Sequence, residues 1–558
     1  MRSHTRLGAR SGAFTQSGPE SVALSLCRIA SFALILASVS AIELSPPANV
    51  PEEASAVLDQ SYVSFAIEGR DFADYSGNDA TPNEFSRNMF STFSRKTGTP
   101  LYLRVGGTTQ DHFRYDASQD EPVRFENPDL PTFLNLFANI TVGKSWTEGF
   151  RQFHDVVWDL QVFLARKNLS NAVEFAKDCV EAIGIENLNA LEIGNEPDLY
   201  NASGFFPNQT DRPSSYQPPD YVAEFTEFAE ALESSLTLGA GPNFQALGYS
   251  NFVADPWNER NAFEAGLSPD LVKSISEHYY QSRDGRGLGA TLMNKTAIRS
   301  FTDARFKERI EYMRSTYPDI PFLIAEVGSA LGNGTGIRDF DLTASLGTAL
   351  WTVDWLLYAV TIGVTRVNMQ LGSRFPFSPW LGSTTVINNQ TLPPQTLGSF
   401  YGNVFVADFI GSDGNFRVAE LSVDDDNISA YAGYHSDKLT KIALVNLELW
   451  RESYGTERPV SSVTLRGLEG VKAVRVQKLT GPDGGSQAKD ITWAGTQWTA
   501  ESTGLPVAVR DDSVLVIVES GSVEICIQAS EAVLVSFVPN NYLAMDKMAS
   551  MVTGPSDS

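Results

Sequence analysis

Ala190-Leu-Glu-Ile-Gly194, running on into Asn195-Glu196-Pro197, is a short apolar stretch that breaks into a polar loop on a carboxylate. It reads as a buried strand whose exit is stiffened by Pro197, because the proline ring fixes φ and removes a donor. Seven other stretches have the same strand-like character: Tyr62–Glu68, Leu101–Gly107, Val156–Gln161, Gln245–Tyr249, Val272–Tyr280, Ile320–Ala325 and Thr365–Gln370. Helical spacing between them is clearest at Asn171–Ala182, Pro219–Ser235, Asp303–Tyr317 and Ala344–Ile362. Eight strands joined by helical connections predict an α/β chain with a (β/α)8 TIM barrel over residues 60–372.

Beyond Gly372 the pattern changes. Lys441–Leu449, Val460–Arg466, Val471–Leu479, Ser513–Glu519 and Ser522–Phe537 alternate β-branched and polar residues, with turns such as Gly481-Pro-Asp-Gly-Gly485. This predicts a C-terminal antiparallel β-sandwich over 373–540, joined by a strand from within 44–59 and followed by a flexible tail, 541–558.

Barrel active sites lie at the C-terminal ends of the strands, which reduces 67 acidic residues to a short list. Glu196 leaves the fourth strand. Glu326 ends the apolar run Pro321-Phe-Leu-Ile-Ala325 on the seventh. A carboxylate buried there costs several kcal/mol unless it is paired, so its presence points to chemistry more than to packing. Two rim carboxylates facing each other are what glycosidic cleavage needs: one protonates the leaving oxygen, the other attacks the anomeric carbon or activates water. Retaining enzymes hold the two roughly 5–5.5 Å apart. Like charge at that range is expected to raise the pKa of the acid. Arg104 is a candidate to stabilise Glu326 from inside the barrel or to form a structural ion pair.

Composition narrows the partners. The formal net charge is -25, which argues against nucleic acid and anionic membrane. Arg2, Arg6, Arg10 and Arg28 precede the apolar run Ile29–Val39, and small residues follow at Val39-Ser-Ala41, as in a signal peptide over 1–41. A signal anchor is the alternative, because the polar stretch before the run is long. Sequons at Asn139, Asn168, Asn201, Asn208, Asn294, Asn333, Asn389 and Asn427 fit a secreted glycoprotein. Cys179 and Cys526 fall in different domains and are expected as free thiols. No Cys/His cluster, P-loop or dinucleotide pattern calls for a metal or cofactor.

The strand-four and strand-seven glutamates resemble those of clan A glycoside hydrolases. Leu103-Arg-Val-Gly-Gly-Thr-Thr-Gln-Asp111, Ile193-Gly-Asn-Glu-Pro-Asp-Leu-Tyr200, His278-Tyr-Tyr280, Ala325-Glu-Val-Gly-Ser-Ala330, Leu479-Thr-Gly-Pro482 and Ile491-Thr-Trp493 resemble family 79, the β-glucuronidases and heparanases. That resemblance implies a retaining, exo-acting β-glucuronidase, tolerant of a 4-O-methylated sugar, acting on a glycan. It makes Glu196 the acid/base, Glu326 the nucleophile and Asn195 the partner of the sugar 2-hydroxyl. Tyr280 would donate to Glu326; a strand read one residue off would put Tyr279 inside instead. Glu68, Thr108, Asp111 and Gln370 would bind sugar hydroxyls, and backbone amides near Gly332 and Asn333 would take the uronic carboxylate. The expected tyrosine after strand eight is replaced by Phe375 and Phe377, with Arg374 available to compensate. An acidic chain without a basic cluster disfavours a heparanase. A neutral β-glycosidase of the same clan and a silent glycan-binding protein are the remaining readings.

Overall fold

The computed structural model describes residues 42–125, 140–200, 212–250, 255–283, 285–331 and 339–539. The expected signal segment, the whole expected tail, Gly332, Asn333 and the sequons at Asn139, Asn201 and Asn208 lie outside them.

Eight parallel strands close into a barrel: Val63–Glu68, Leu101–Gly106, Val156–Val162, Leu188–Ile193, Phe244–Tyr249, Val272–Ser282, Phe322–Ala330 and Arg366–Leu371, each paired with its neighbours in chain order and the eighth with the first. All eight expected strands are present, with ends moved by a few residues. The interior of the barrel is filled by side chains, and the outer faces pack under helices such as Leu169–Ile183, Pro218–Ser235 and Lys295–Thr316. Asn168 and Asn294 cap two of these helices, accepting from the amides of Asn171 and Ala297.

Helix Leu346–Ile362 is buried on every side from Leu346 to Val360. One face meets the barrel. Others meet helix Gly398–Ile410 and the C-terminal strands, so no polar face is needed. Gly398–Ile410 follows strand eight and packs against both Leu346–Ile362 and the helix over strand one. It is the eighth barrel helix, and the barrel therefore continues past the expected boundary at 372.

The C-terminal strands form a nine-stranded sheet, beginning with Phe416–Leu421 and Ile428–His435, and a three-stranded sheet of Ile42–Leu44, Val460–Leu465 and Val523–Gln528. Ile442, Leu444, Val474 and Val533 of the large sheet share a core with Ile42, Val463, Ile525 and Ile527 of the small one, which makes a sandwich. The single long run expected over Ser522–Phe537 is two strands, because the chain turns at Ser530, whose φ is 57°. The N-terminal strand is Ile42–Leu44, pairing in parallel with Val463–Leu465. Residues 54–58 form no strand, although the amides of Ser55 and Leu58 donate to the carbonyls of Val418 and Phe416. Barrel and sandwich are tied by Arg299, which donates to both oxygens of Asp354 at 2.8 and 2.9 Å and to Glu420 and Tyr431 of the sheet. Among the described residues, Cys179 and Cys526 are not joined to each other.

Candidate active site

The fourth strand delivers Glu196 through an unusual turn. Gly194 has φ 81°, and Glu196 itself is left-handed at φ 50°, ψ 51°. A residue with a Cβ in that region carries strain of order 1 kcal/mol, of the kind that gathers at functional sites. Pro197 then opens a 3-10 turn, and the Glu196 amide donates to the Gly248 carbonyl at 3.0 Å. The carboxylate is thus aimed by backbone on both sides.

Glu326 lies across the barrel mouth on strand seven. Tyr280 donates to its Oε1 and Arg104 to its Oε2 at 3.2 Å. Gly328 permits this, since a Cβ there would sit 2.6 Å from the Tyr280 ring. Phe377 meets the same ring edge-on, 5.5 Å between centroids, with Phe375 stacked behind it. His278, on the inward face with Tyr280, places Nδ1 3.0 Å from Glu196 Oε1 and 3.8 Å from Glu326 Oε2. One ligand atom from each of Glu196, His278 and Glu326 falls within 4.8 Å of the others.

Arg104 organises the floor. Wholly buried, it also donates to Glu192 Oε2 at 2.6 Å and to Asn195 Oδ1 at 2.8 Å. Both possibilities for it hold at once: it is a structural ion pair and the cationic partner of Glu326. Two carboxylate oxygens and an imidazole nitrogen could invite a divalent cation here, but this guanidinium already supplies the positive charge beside Glu326.

The two carboxylates have different surroundings. Burial, the largest cause, pushes the Glu196 carboxyl up to about 7; Arg104 and Arg283 act against the rise, and the like charge that adds to it is Asp111. The expected cause, repulsion from Glu326, is therefore replaced by desolvation. The Glu326 charge is felt instead at Glu68, which burial first and Glu326 second hold up to about 7. His278 is pushed down to about 4, chiefly by burial, so it is neutral at ordinary pH.

The other candidates divide. Glu68 accepts from the Thr109 amide at 2.8 Å and from Gln370 Nε2 at 3.2 Å. Gln370 Oε1 is buried with no hydrogen-bond partner among the described residues. Asn195 Nδ2 stands 3.5 Å from Thr108 Oγ1. These four are linked to the glutamates by charge and hydrogen bonds: Glu68 feels the Glu326 charge, and Asn195 shares Arg104 with Glu326. Asp111 does not join them as a sugar ligand: its oxygens accept from the amides of Leu164, Ala165 and Asn195 and from Tyr200 at 2.6 Å. It braces the loops after strands two, three and four. Tyr279 is likewise corrected, for it faces outward, stacked on Trp355 at 4.7 Å and hydrogen-bonded to Gln281 and Thr302. Strand alternation allows only one of two successive tyrosines inside. Trp146, Tyr200, Tyr216, Trp380 and Tyr401, aromatics of the kind that stack on sugar rings, are buried in the core instead. His278 and Glu192 were assigned no role from sequence. For Glu192 a signal was present, a carboxylate between Leu191 and Ile193; His278 lies in a strand already rich in polar residues, Val272–Ser282, and does not stand out there.

A (β/α)8 barrel with opposed glutamates closing strands four and seven, joined to a β-sandwich, is a glycoside hydrolase architecture. Comparison with known proteins narrows it. Residues 430–534 match the glycosyl hydrolase family 79 C-terminal beta domain. A "Beta-glucuronidase" of Neurospora crassa is 28% identical, the alignment covering 91% of this chain and 98% of that one. A "Beta-glucuronidase" of Aspergillus niger is 29% identical over 89% of this chain and 94% of its own. Among solved structures, a 4-O-alpha-L-rhamnosyl-beta-D-glucuronidase from Fusarium oxysporum superposes with TM-score 0.73 at 22% identity, covering 89% of this chain and all of that one. A family 51 alpha-L-arabinofuranosidase from Bifidobacterium longum gives 0.57 at 14% identity; both show the shared fold. The chain thus carries a C-terminal domain that matches the family 79 beta domain, and over most of its length it is similar to two proteins named β-glucuronidase.

Proposed function

We propose that the protein is a secreted, exo-acting, retaining β-glucuronidase. The observation that carries the reading is the asymmetry of the glutamates. Glu196 is protonated up to about pH 7 by burial, while Glu326 receives Tyr280 and the Arg104 cation. In the first step a Glu326 oxygen attacks the anomeric carbon, and Glu196 gives its proton to the departing glycosidic oxygen. In the second, ionised Glu196 takes a proton from water, the water oxygen attacks the anomeric carbon, and the Glu326 ester bond breaks. Two inversions leave net retention. Their spacing, with oxygens within 4.8 Å, favours direct attack over an interposed water. Asn195, held by Arg104, presents Nδ2 towards the pocket, and the unspent Gln370 Oε1 suits a sugar hydroxyl. The relatives named β-glucuronidase support glucuronate as the sugar, with a 4-O-methyl group tolerated on the Glu68 and Gln370 side. Export and N-glycosylation rest on the leader and on sequons at Asn168, Asn389 and Asn427, which are exposed.

The apolar Phe375–Phe377 pair beside Tyr280 keeps a neutral-sugar hydrolase as a second reading. Release of 4-nitrophenol from a panel of β-glycosides separates them. Turnover of the glucuronide with little of the glucoside or xyloside is expected; the reverse order overturns the glucuronate assignment. The first-formed anomer, followed by NMR, is expected to be β; an α product overturns the retaining mechanism.

A further inference from the structure

The end of the barrel away from Glu196 and Glu326 holds a cavity of about 350 Å³, within the range of small-molecule sites, roughly 300–1,000 Å³. Its walls are strand starts: Tyr102 on the second strand, Asn189 on the fourth, Lys273 on the sixth, Leu323 on the seventh and Arg366 on the eighth. Residues 55–59, on the stretch that carries the chain from the sandwich strand Ile42–Leu44 to the first barrel strand, close one side. Lys273 and His278 stand at opposite ends of the sixth strand. At about 3.3 Å per residue, the cavity lies on the order of 15 Å from the catalytic carboxyls.

The chemistry of the wall favours an anion. Lys273 is half-buried, and its ammonium donates to the Asn189 carbonyl at 2.6 Å. It forms no ion pair among the described residues. Arg366 is 6% exposed. Its Nη2 meets Asp159 at 2.5 Å, the guanidinium lies over the Tyr102 ring at 4.0 Å, and Nε makes no hydrogen bond among the described residues. Asp159 is itself engaged, since its other oxygen accepts from Asn189 Nδ2 at 2.6 Å. The one carboxylate on the wall, Asp59, is exposed and turned to the Ser61 amide at 2.9 Å. Burial holds the Lys273 pKa below the usual lysine range; Asp159 opposes that shift and Arg366 adds to it. A half-buried ammonium with spare donors gains when an anion receives them. Leu58, Val360 and Val364 make the rest of the wall apolar.

We propose that this cavity binds a small organic carboxylate, its anionic group held by Lys273 and Arg366 and its apolar body laid against Leu323, Val360 and Val364. An aromatic or cyclic aliphatic monocarboxylate has the required size and polarity. Asp159, Asn189, Lys273 and Arg366 link the starts of the third, fourth, sixth and eighth strands. An occupant therefore ties the floor of the barrel together and stabilises the fold by mass action. The inference does not depend on which sugar the catalytic pocket takes.

The test titrates the full chain with benzoate, cyclohexanecarboxylate, benzamide and inorganic phosphate, reading binding by calorimetry and by the melting temperature. At least one carboxylate is expected to bind with a Kd on the order of 1 mM or tighter, and to raise the melting temperature as its concentration passes that value. Benzamide, which has the shape of benzoate without the charge, should bind at least about ten-fold more weakly. Lys273→Met keeps the apolar stem and should weaken the carboxylate about ten-fold. Val57→Trp, at an exposed position on the rim, should block entry while leaving the strand starts intact. Carboxylate binding that survives both substitutions is held elsewhere, the catalytic pocket included, and overturns the proposal. Equal affinity for benzoate and benzamide, tighter binding of phosphate than of either carboxylate, or no carboxylate binding up to about 10 mM overturns it as well.

Discussion

The mouth of the barrel and the interior of the sandwich are buried to the same degree and filled with opposite chemistry. In the sandwich, Ala430, Ile442, Leu444, Val463 and Val533 pack an apolar core. At the barrel mouth, Arg104, Glu192, Asn195, Glu196, His278 and Glu326 are all less than a tenth exposed. Burying such groups costs several kcal/mol each unless they are paired. One guanidinium serving Glu192, Asn195 and Glu326 makes the arrangement tolerable. The barrel mouth thus gives up stability to hold reactive carboxyls in a low-dielectric site, while the sandwich and the helix shared with it contribute stability and no chemistry.

That division predicts where substitutions fall. Glu326→Ala should lower kcat on the order of 10⁴-fold or more, and azide should restore turnover with an inverted product. Near-normal activity would break the division at its centre. Glu196→Gln should lower kcat by about 10²–10⁴-fold, and most for leaving groups that need protonation; a uniform loss across leaving groups would remove Glu196 from the acid role. The pH profile sharpens the same point. Glu196 must carry its proton, its pKa is raised to about 7, and kcat/KM should therefore fall as pH rises through about 7. Glu196→Gln should abolish that limb, which would persist if another group caused it.

Stability has a matching sign. Glu68, Glu196 and Asp198 are each raised to about 7 by burial. A carboxyl whose folded pKa exceeds its unfolded one favours the fold most below the unfolded value, and the contribution fades as pH climbs through about 7. The melting temperature should drop between about pH 5 and pH 8; a rise would contradict the burial account. The smallest catalytic effect is expected from Leu444→Ala in the sandwich. It should cost about 2–5 kcal/mol of stability and leave kcat/KM unchanged well below the melting temperature. A large kinetic loss would show that the sandwich does shape the site.

Much of this was legible before the structure. The eight strands appeared as apolar runs because a parallel barrel strand is buried on both faces and has no polar alternation to blur it. Glu196 and Glu326 stood out because a charge ending such a run is costly to bury and does nothing for apolar packing. The break within Val523–Phe537, where the chain passes from the small sheet to the large one, was missed because its turn, Ala529-Ser530, lacks Gly, Asn or Asp. Asp111 was read as a sugar ligand because nothing local shows that the amides of Leu164, Ala165 and Asn195 converge on it. Tyr279 and Tyr280 stayed open because a one-residue change of register exchanges them.

The order of strands, the two carboxylates and their positions along the chain were therefore determined by the sequence, since burial patterning and strand ends are local properties. What sets the surroundings of the two carboxyls apart came only from the tertiary structure. Burial raises Glu196, and Arg104, reaching across from strand two, meets Glu326 on strand seven. Desolvation and pairing come from residues far apart in the chain, and only the closed barrel brings them together.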